Sequence, residues 1–210
     1  MKNPIFEVNE SDVEALNDEE LTELVSRLCK ADVTRAGQST SCVKHGGNIN
    51  APDDGLDIVV EWKIQPPDFS HLPRKTNGIQ IKKPDMPASN IGIEMAKNVG
   101  EGKSINRLID NKGAYIIVSS GRSCNDRQLR DREDAMSEAV SRITGNEDLQ
   151  LIFYDTQAIV NWVNEYPGVI IWIRNTVGRP LSGWQPFSDW SNSGVVNDYF
   201  LDDKLRIMSD

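Results

Sequence analysis

Three side chains able to handle a phosphodiester stand on two short segments in the first half of the chain. Asp57 closes Asp-Gly-Leu-Asp at 54–57, and Gln80 and Lys82 lie within Gly-Ile-Gln-Ile-Lys-Lys-Pro at 78–84. Each segment sits on a short run that reads as a β-strand, and adjacent strands bring a carboxylate, an amide and an ammonium to one point. A carboxylate that holds a divalent cation, beside a lysine that handles water, suits hydrolysis of phosphodiester bonds.

Asp57 falls inside the apolar run Leu56, Ile58, Val59, Val60, where a carboxylate requires a partner or a metal. Its neighbours Asp53 and Asp54 read as turn residues. Gln80 and Lys82, two residues apart, share one strand face, while Ile79 and Ile81 point the other way into a core. The competing explanation for that pair is the polar face of an exposed strand. A Mg²⁺ ion, with Mn²⁺ as a substitute, prefers oxygen ligands and takes few of them from protein. Asp57 and the backbone carbonyl of Ile81 would supply two, and Gln80 would add its side-chain oxygen or order a ligand water. Lys82 would orient or help deprotonate the attacking water and offset charge on phosphate. A literal Glu-X-Lys at Glu61–Lys63 is set aside, because Glu61 lies on the same strand as Asp57 and cannot close a clamp from a neighbouring one. Cys42 and His45, three apart on a strand, face opposite sides and make a weak nucleophile–base pair.

Elements that must position these groups can be read from periodicity. Apolar residues at Leu16, Leu21, Leu24, Val25 and Leu28 predict a helix over 12–31, capped by Asp12 or Asn17. Strands are expected at 41–45, 56–64, 79–83, 113–120 and 149–154, the 113–120 run GAYIIVSS apolar enough to be buried on both faces. Helices are expected at 90–97, 104–111, 126–143, 156–165 and 169–177, and 66–77 is a loop containing three prolines. The order predicts an α/β sandwich with a mixed central β-sheet flanked by helices. From Gly178 the sequence turns rich in Trp, Pro and Gly. It divides the chain into a core at 1–177 and an arm or linker at 178–210, with Trp184 and Trp190 covering apolar surface and a broken element at 198–208.

Composition narrows the function classes. At 210 residues the chain can build one sizeable core. No apolar run approaches the ~20 residues of a membrane span, and the acidic N-terminus has no signal-peptide core, which points to a cytoplasmic protein without membrane partners. Three widely spaced cysteines and two histidines argue against a zinc site or a disulfide framework. A net charge of −9 opposes a general affinity for nucleic acid. Basic residues cluster locally, however, at Arg74–Lys75, Lys82–Lys83 and Arg122 to Arg132, and a bound Mg²⁺ would neutralise part of an acidic site. The stretch from Gly121 opens a helix after a buried strand, where backbone N–H groups and arginines can meet phosphate. Lys83, Arg122 and Arg127 are the candidate DNA contacts.

The succession of an N-terminal helix, GGN…APDDGLDIVVEW, GIQIKKPDMP and GAYIIVSS resembles the PD-(D/E)XK restriction-endonuclease-like superfamily, over residues 12–175. It is most similar to the Mrr-like branch and, within it, to the N-terminal nuclease effector domains of bacterial anti-phage STAND NTPases (the Avs group). The resemblance implies a restriction-endonuclease-like core, with Asp57 as the metal-binding aspartate, Gln80 at the variable acid/amide position and Lys82 as the catalytic lysine. It further implies a glutamate on the first helix, for which Glu23 is the candidate and Glu20, one turn earlier, the alternative. The implied activity is Mg²⁺-dependent endonucleolytic cutting, of double-stranded DNA and with little sequence specificity, switched on by oligomerisation through an NTPase or sensor region beyond this chain. The rivals are a nuclease-fold module that binds DNA or a protein without cutting, an interaction domain using the Trp-bearing arm, and a nuclease selective for branched DNA.

Overall fold

The computed structural model describes residues 6–45, 55–181 and 184. The turn residues Asp53 and Asp54, Trp190 and the element expected at 198–208 lie outside them. Two helices open the fold, α1 (Glu10–Glu14) and α2 (Asp18–Arg35). The single helix expected over 12–31 is split because two asparagines each start a helix. Asn9 and Asn17 both accept from the backbone N–H three residues on, and Asp12 and Glu20 return the bond to the cap's own N–H. These capping boxes fix each start.

Strands β1 (Val43–His45), β2 (Ile58–Glu61) and β3 (Thr76–Lys82) follow, then α3 (Ala88–Ala96), α4 (Ser104–Asp110), β4 (Ala114–Ser119), α5 (Asp126–Val140), β5 (Gln150–Tyr154), α6 (Thr156–Val163) and α7 (Pro167–Thr176). The five strands form one sheet in the order β1-β2-β3-β4-β5. β1–β2 and β2–β3 are antiparallel, and β3–β4 and β4–β5 are parallel. The expected mixed α/β architecture is therefore present. β2 is shorter than the 56–64 run and β3 starts earlier than Ile79. Glu61 is the last β2 residue in register, and its partner is Thr76.

Alternation along the strands separates two cores. Ile58, Val60, Ile79, Ile81, Ile116 and Val118 face one side and pack against α2, α6 and α7. Tyr115, Ile117 and Phe153 face the other and pack against α3, α4 and α5 through Ile91, Met95, Leu108 and Met136. All six residues of β4 are buried, as its unbroken apolar run predicts. β3 is buried across both faces too, Gln80 included at 3 % exposure, so the polar face of an exposed strand is not what Gln80 represents. β3, β4 and β5 run the same way, and their carboxyl ends share one edge of the sheet. That edge is where ligands meet open parallel sheets.

Candidate functional site at the carboxyl edge of the sheet

The hairpin register brings Asp57 to this edge. β2 begins opposite Ile79, so the residue just before it lies beside 80–82. The Asp57 N–H donates to the Ile79 carbonyl at 2.8 Å, and its Oδ2 accepts from the Ile81 N–H at 2.6 Å. In a strand the N–H and C=O of one residue leave on the same side. The Ile81 carbonyl is thus directed off β3 toward the side that Asp57 occupies. Two glycines make this approach possible. Gly55 has φ +73°, and a Cβ there would lie 2.0 Å from the Asn98 side-chain oxygen. A Cβ at Gly78 would lie 2.7 Å from a Leu56 methyl and 2.8 Å from one of Leu108.

On the α3 side of β3, Gln80 and Lys82 meet a residue that sequence reading did not single out. Glu94 of α3 accepts at Oε1 from Gln80 Nε2 (2.9 Å) and from Lys82 Nζ (2.6 Å), and at Oε2 from Lys97 Nζ (2.6 Å). The Gln80 oxygen accepts from the Tyr115 hydroxyl, which in turn accepts from Asn98 Nδ2 at 3.3 Å. An ionised carboxylate only accepts, so the amide nitrogen must face Glu94 and the oxygen Tyr115. Lys82 and Lys97 hold the Glu94 carboxyl below the usual carboxylate range. Burial, with Glu94 and Asp57 nearby, pushes the Tyr115 phenol up, so it remains a donor. In this arrangement the Gln80 oxygen is engaged by Tyr115 and its nitrogen by Glu94, so the amide tethers the Glu94 carboxylate.

Of the other expected residues, Glu23, Glu20 and Lys83 have their bonds outside this group, and Arg122 reaches its rim through Asp85, which lines one cavity with Lys82 and Glu94. Glu23 pairs with Arg27 of its own helix at 2.7 Å, and Glu20 closes the α2 capping box through Asn17 N–H at 2.8 Å. Both belong to α2, which covers the opposite sheet face from Gln80. Lys83 donates to the Glu14 carbonyl at the end of α1, a position where a cation offsets the helix dipole. Arg122 pairs with Asp85 at 3.0 Å, and Arg127 is exposed on α5. Arg132 is not surface charge at all: 2 % exposed, it donates to the Met86 and Gln128 carbonyls and to Asp85. Glu61 is taken up by Lys44 of β1. Cys42 is buried, while His45 is exposed and meets the Ser26 hydroxyl at 2.9 Å. Ser26 is fully buried, so neither pair presents a nucleophile. Glu94 carried a readable signal, as a carboxylate in the apolar run Ile91 to Met95 with a lysine three residues on. The rule that flags Asp57 applies equally to it.

Comparison with known proteins gives no match to a family model, to a curated protein or to a solved structure. The functional reading therefore rests on this geometry and on the sequence resemblance. Among the described residues no helix is long and apolar enough to cross a membrane.

Proposed function

We propose that the chain is a metal-dependent DNA endonuclease with a restriction-endonuclease-like core, its centre formed by Asp57, Ile81 and Lys82. The observation that carries this reading is the Asp57 carboxylate fastened to the Ile81 N–H at the strand end from which Lys82 emerges. The donors are hard oxygens, the Asp57 carboxylate and the Ile81 carbonyl, which fit Mg²⁺ or Mn²⁺ better than a soft metal. Among the described residues no group of three or more His, Cys, Asp or Glu converges. Water and phosphate would therefore complete the shell, as is usual for Mg²⁺. When bound, the ion supplies charge neutralisation on phosphate and a more acidic water. Lys82 contributes a positive charge to the phosphate undergoing attack and orients the water. Tyr115 and Gln80 hold the carboxylate that fixes Lys82.

Following the resemblance, the substrate is double-stranded DNA, bound through its backbone with little sequence preference. The activity would serve anti-phage defence, released when a larger protein assembles. The second reading, a module that binds DNA or a protein without cutting, draws on one observation: the Lys82 ammonium is already ion-paired with Glu94. Incubation with supercoiled plasmid in Mg²⁺ or Mn²⁺ separates the two. The nuclease reading expects nicking that chelator stops and that Asp57→Ala lacks. A folded wild type that retards plasmid without cutting it, also when forced to oligomerise, supports the silent module.

A further inference from the structure

Two arginines share one carboxylate beside the candidate centre. Asp85 accepts from Arg132 Nη2 at Oδ1 (2.8 Å) and from Arg122 Nε at Oδ2 (3.0 Å). The surroundings of the two arginines are opposite. Arg132 is buried, its Nε and Nη1 donate to the Met86 and Gln128 carbonyls, and its guanidinium lies over the Phe153 ring. Arg122 is exposed, and Asp85 engages its Nε alone, so among the described residues both of its Nη groups are without a protein partner. A lone arginine–carboxylate pair is neutral and has little attraction for phosphate. With Arg132 on the second oxygen the group of three carries one net positive charge, displayed by Arg122, the member that water reaches. A guanidinium held at Nε offers its two Nη groups as a fork, a shape that matches two oxygens of one phosphate.

The turn that bears Arg122 is fastened to the strand end that bears Lys82. The Ser120 N–H donates to the Lys82 carbonyl at 3.2 Å, the Ser120 hydroxyl to the Lys83 carbonyl at 3.4 Å, and the Ser119 hydroxyl to the Pro84 carbonyl at 3.0 Å. Gly121 lies so close to this segment that a Cβ there would sit 2.0 Å from the Asp85 backbone nitrogen. Asp85 itself lines the same cavity as Lys82. One frame at the carboxyl edge therefore holds both cations.

We propose that Arg122 is a second phosphate ligand, aimed by Asp85 and kept cationic by the buried Arg132, and that it takes a backbone phosphate flanking the one attacked at Lys82. The flanking role rests on the nuclease reading. Asp85 is a positioning residue that acts through Arg122. The proposal also accounts for a buried arginine in a helix otherwise charged on its surface: Arg132 stays on Asp85 whether or not Arg122 holds DNA.

The test reads binding and cleavage separately. Binding of a labelled linear duplex is measured across a range of salt with Ca²⁺ in place of Mg²⁺, and plasmid cleavage is measured with Mg²⁺. Arg122→Gln should flatten the plot of log affinity against log salt by about 0.9, the share of one phosphate contact, and lower cleavage. Lys112→Gln removes the same charge before β4, at the opposite edge of the sheet, and should leave both readouts at wild type. Arg122→Lys keeps the charge and loses the fork, so the slope should stay while kcat falls about ten- to a hundredfold through misplaced DNA. Asp85→Asn keeps an oxygen for Arg132 and removes a negative charge. An arginine acting by charge alone would then bind at least as tightly and cut at the wild-type rate, whereas an aimed one loses kcat with affinity undiminished. An unchanged salt slope in Arg122→Gln overturns the phosphate ligand, as does a wild type that binds no duplex. Wild-type kcat in Arg122→Lys or in a folded Asp85→Asn overturns the aiming. Arg122→Lys, altered only at an exposed side chain, decides the point if Asp85→Asn does not fold. A wild type that never cuts, with a slope that Arg122→Gln flattens, keeps the phosphate ligand and removes the nuclease reading.

Discussion

Asp32 and Glu94 are carboxylates on helices that pack against opposite faces of one sheet, and each is gripped by several donors. The character of the donors differs. Asp32, fully buried, accepts from Ser70 Oγ (2.7 Å), the His71 N–H (2.9 Å), Trp162 Nε1 (3.2 Å) and the Tyr166 hydroxyl. All four are neutral, and they tie the loop after β2 to α2, α6 and the start of α7. Glu94 accepts from two ammonium groups and one amide. It lines a cavity of about 270 Å³ together with Lys82, Asn90 and Ile93. A charge fully satisfied by neutral hydrogen bonds away from water holds a fold together. A charge shared with ammonium groups at an opening lies where an incoming phosphate can reach those cations. The first carboxylate should therefore matter to stability and the second to chemistry.

Breaking the first side should give the largest stability effect. Asp32→Ala leaves four donors without their acceptor, the buried Trp162 N–H and three on half-buried residues, and should cost about 3 kcal/mol or more. Urea denaturation measures this, while cleavage per folded molecule stays at the wild-type level. A variant as stable as wild type would remove the structural role. Next in size is Gly55→Ala. The left-handed backbone and the Asn98 contact together predict a loss of about 1–3 kcal/mol and, because the turn aims Asp57, a matching fall in cleavage. Unchanged thermal stability would show that Asn98 yields without cost.

Glu94→Gln should change stability by about 1 kcal/mol or less, as expected of partly exposed ion pairs, even though it impairs cleavage. An effect on the scale of Asp32 would erase the contrast between the two carboxylates. The smallest effect is the pH dependence of that contribution. The folded-state Glu94 carboxyl is held below its ordinary value by Lys82 and Lys97. Its stabilisation is present above the usual carboxylate range and disappears as pH falls through the lowered value. Wild type and Glu94→Gln should then differ in urea midpoint near neutrality and converge in acid. A gap that widens in acid would reverse the assigned cause.

Much of the fold was legible because apolar period and turn residues agree. The buried β4 run, the 126–143 helix and the strand ending at Lys82 all lie near their expected limits. The local signals that failed are those decided by partners distant in sequence. The last residues in register are Glu61 and Thr76, with one more backbone bond from the Trp62 N–H to the Lys75 carbonyl, and no property of residues 56–64 reveals that limit. Within the site, Asp57 was legible as a charge in an apolar run, and the hairpin register does place it beside Ile81. Glu94 obeys the same rule but was hidden by its helix, where a carboxylate three residues before a lysine reads as an ordinary surface pair. Only the α3–β3 packing turns it inward. Arg132 misleads in the opposite sense, since one of several arginines in a charged helix is buried over Phe153, 5.3 Å from the ring centroid.

The most direct measurement sets Lys82→Ala beside Asp32→Asn, each confirmed folded by its denaturation curve, in a timed plasmid cleavage assay with Mg²⁺. The account predicts that Lys82→Ala keeps its stability and loses cleavage by about a hundredfold or more. Asp32→Asn should lose stability and cut normally at a temperature where it is folded. Cleavage by Lys82→Ala at the wild-type rate would contradict the assignment of the centre to this edge of the sheet.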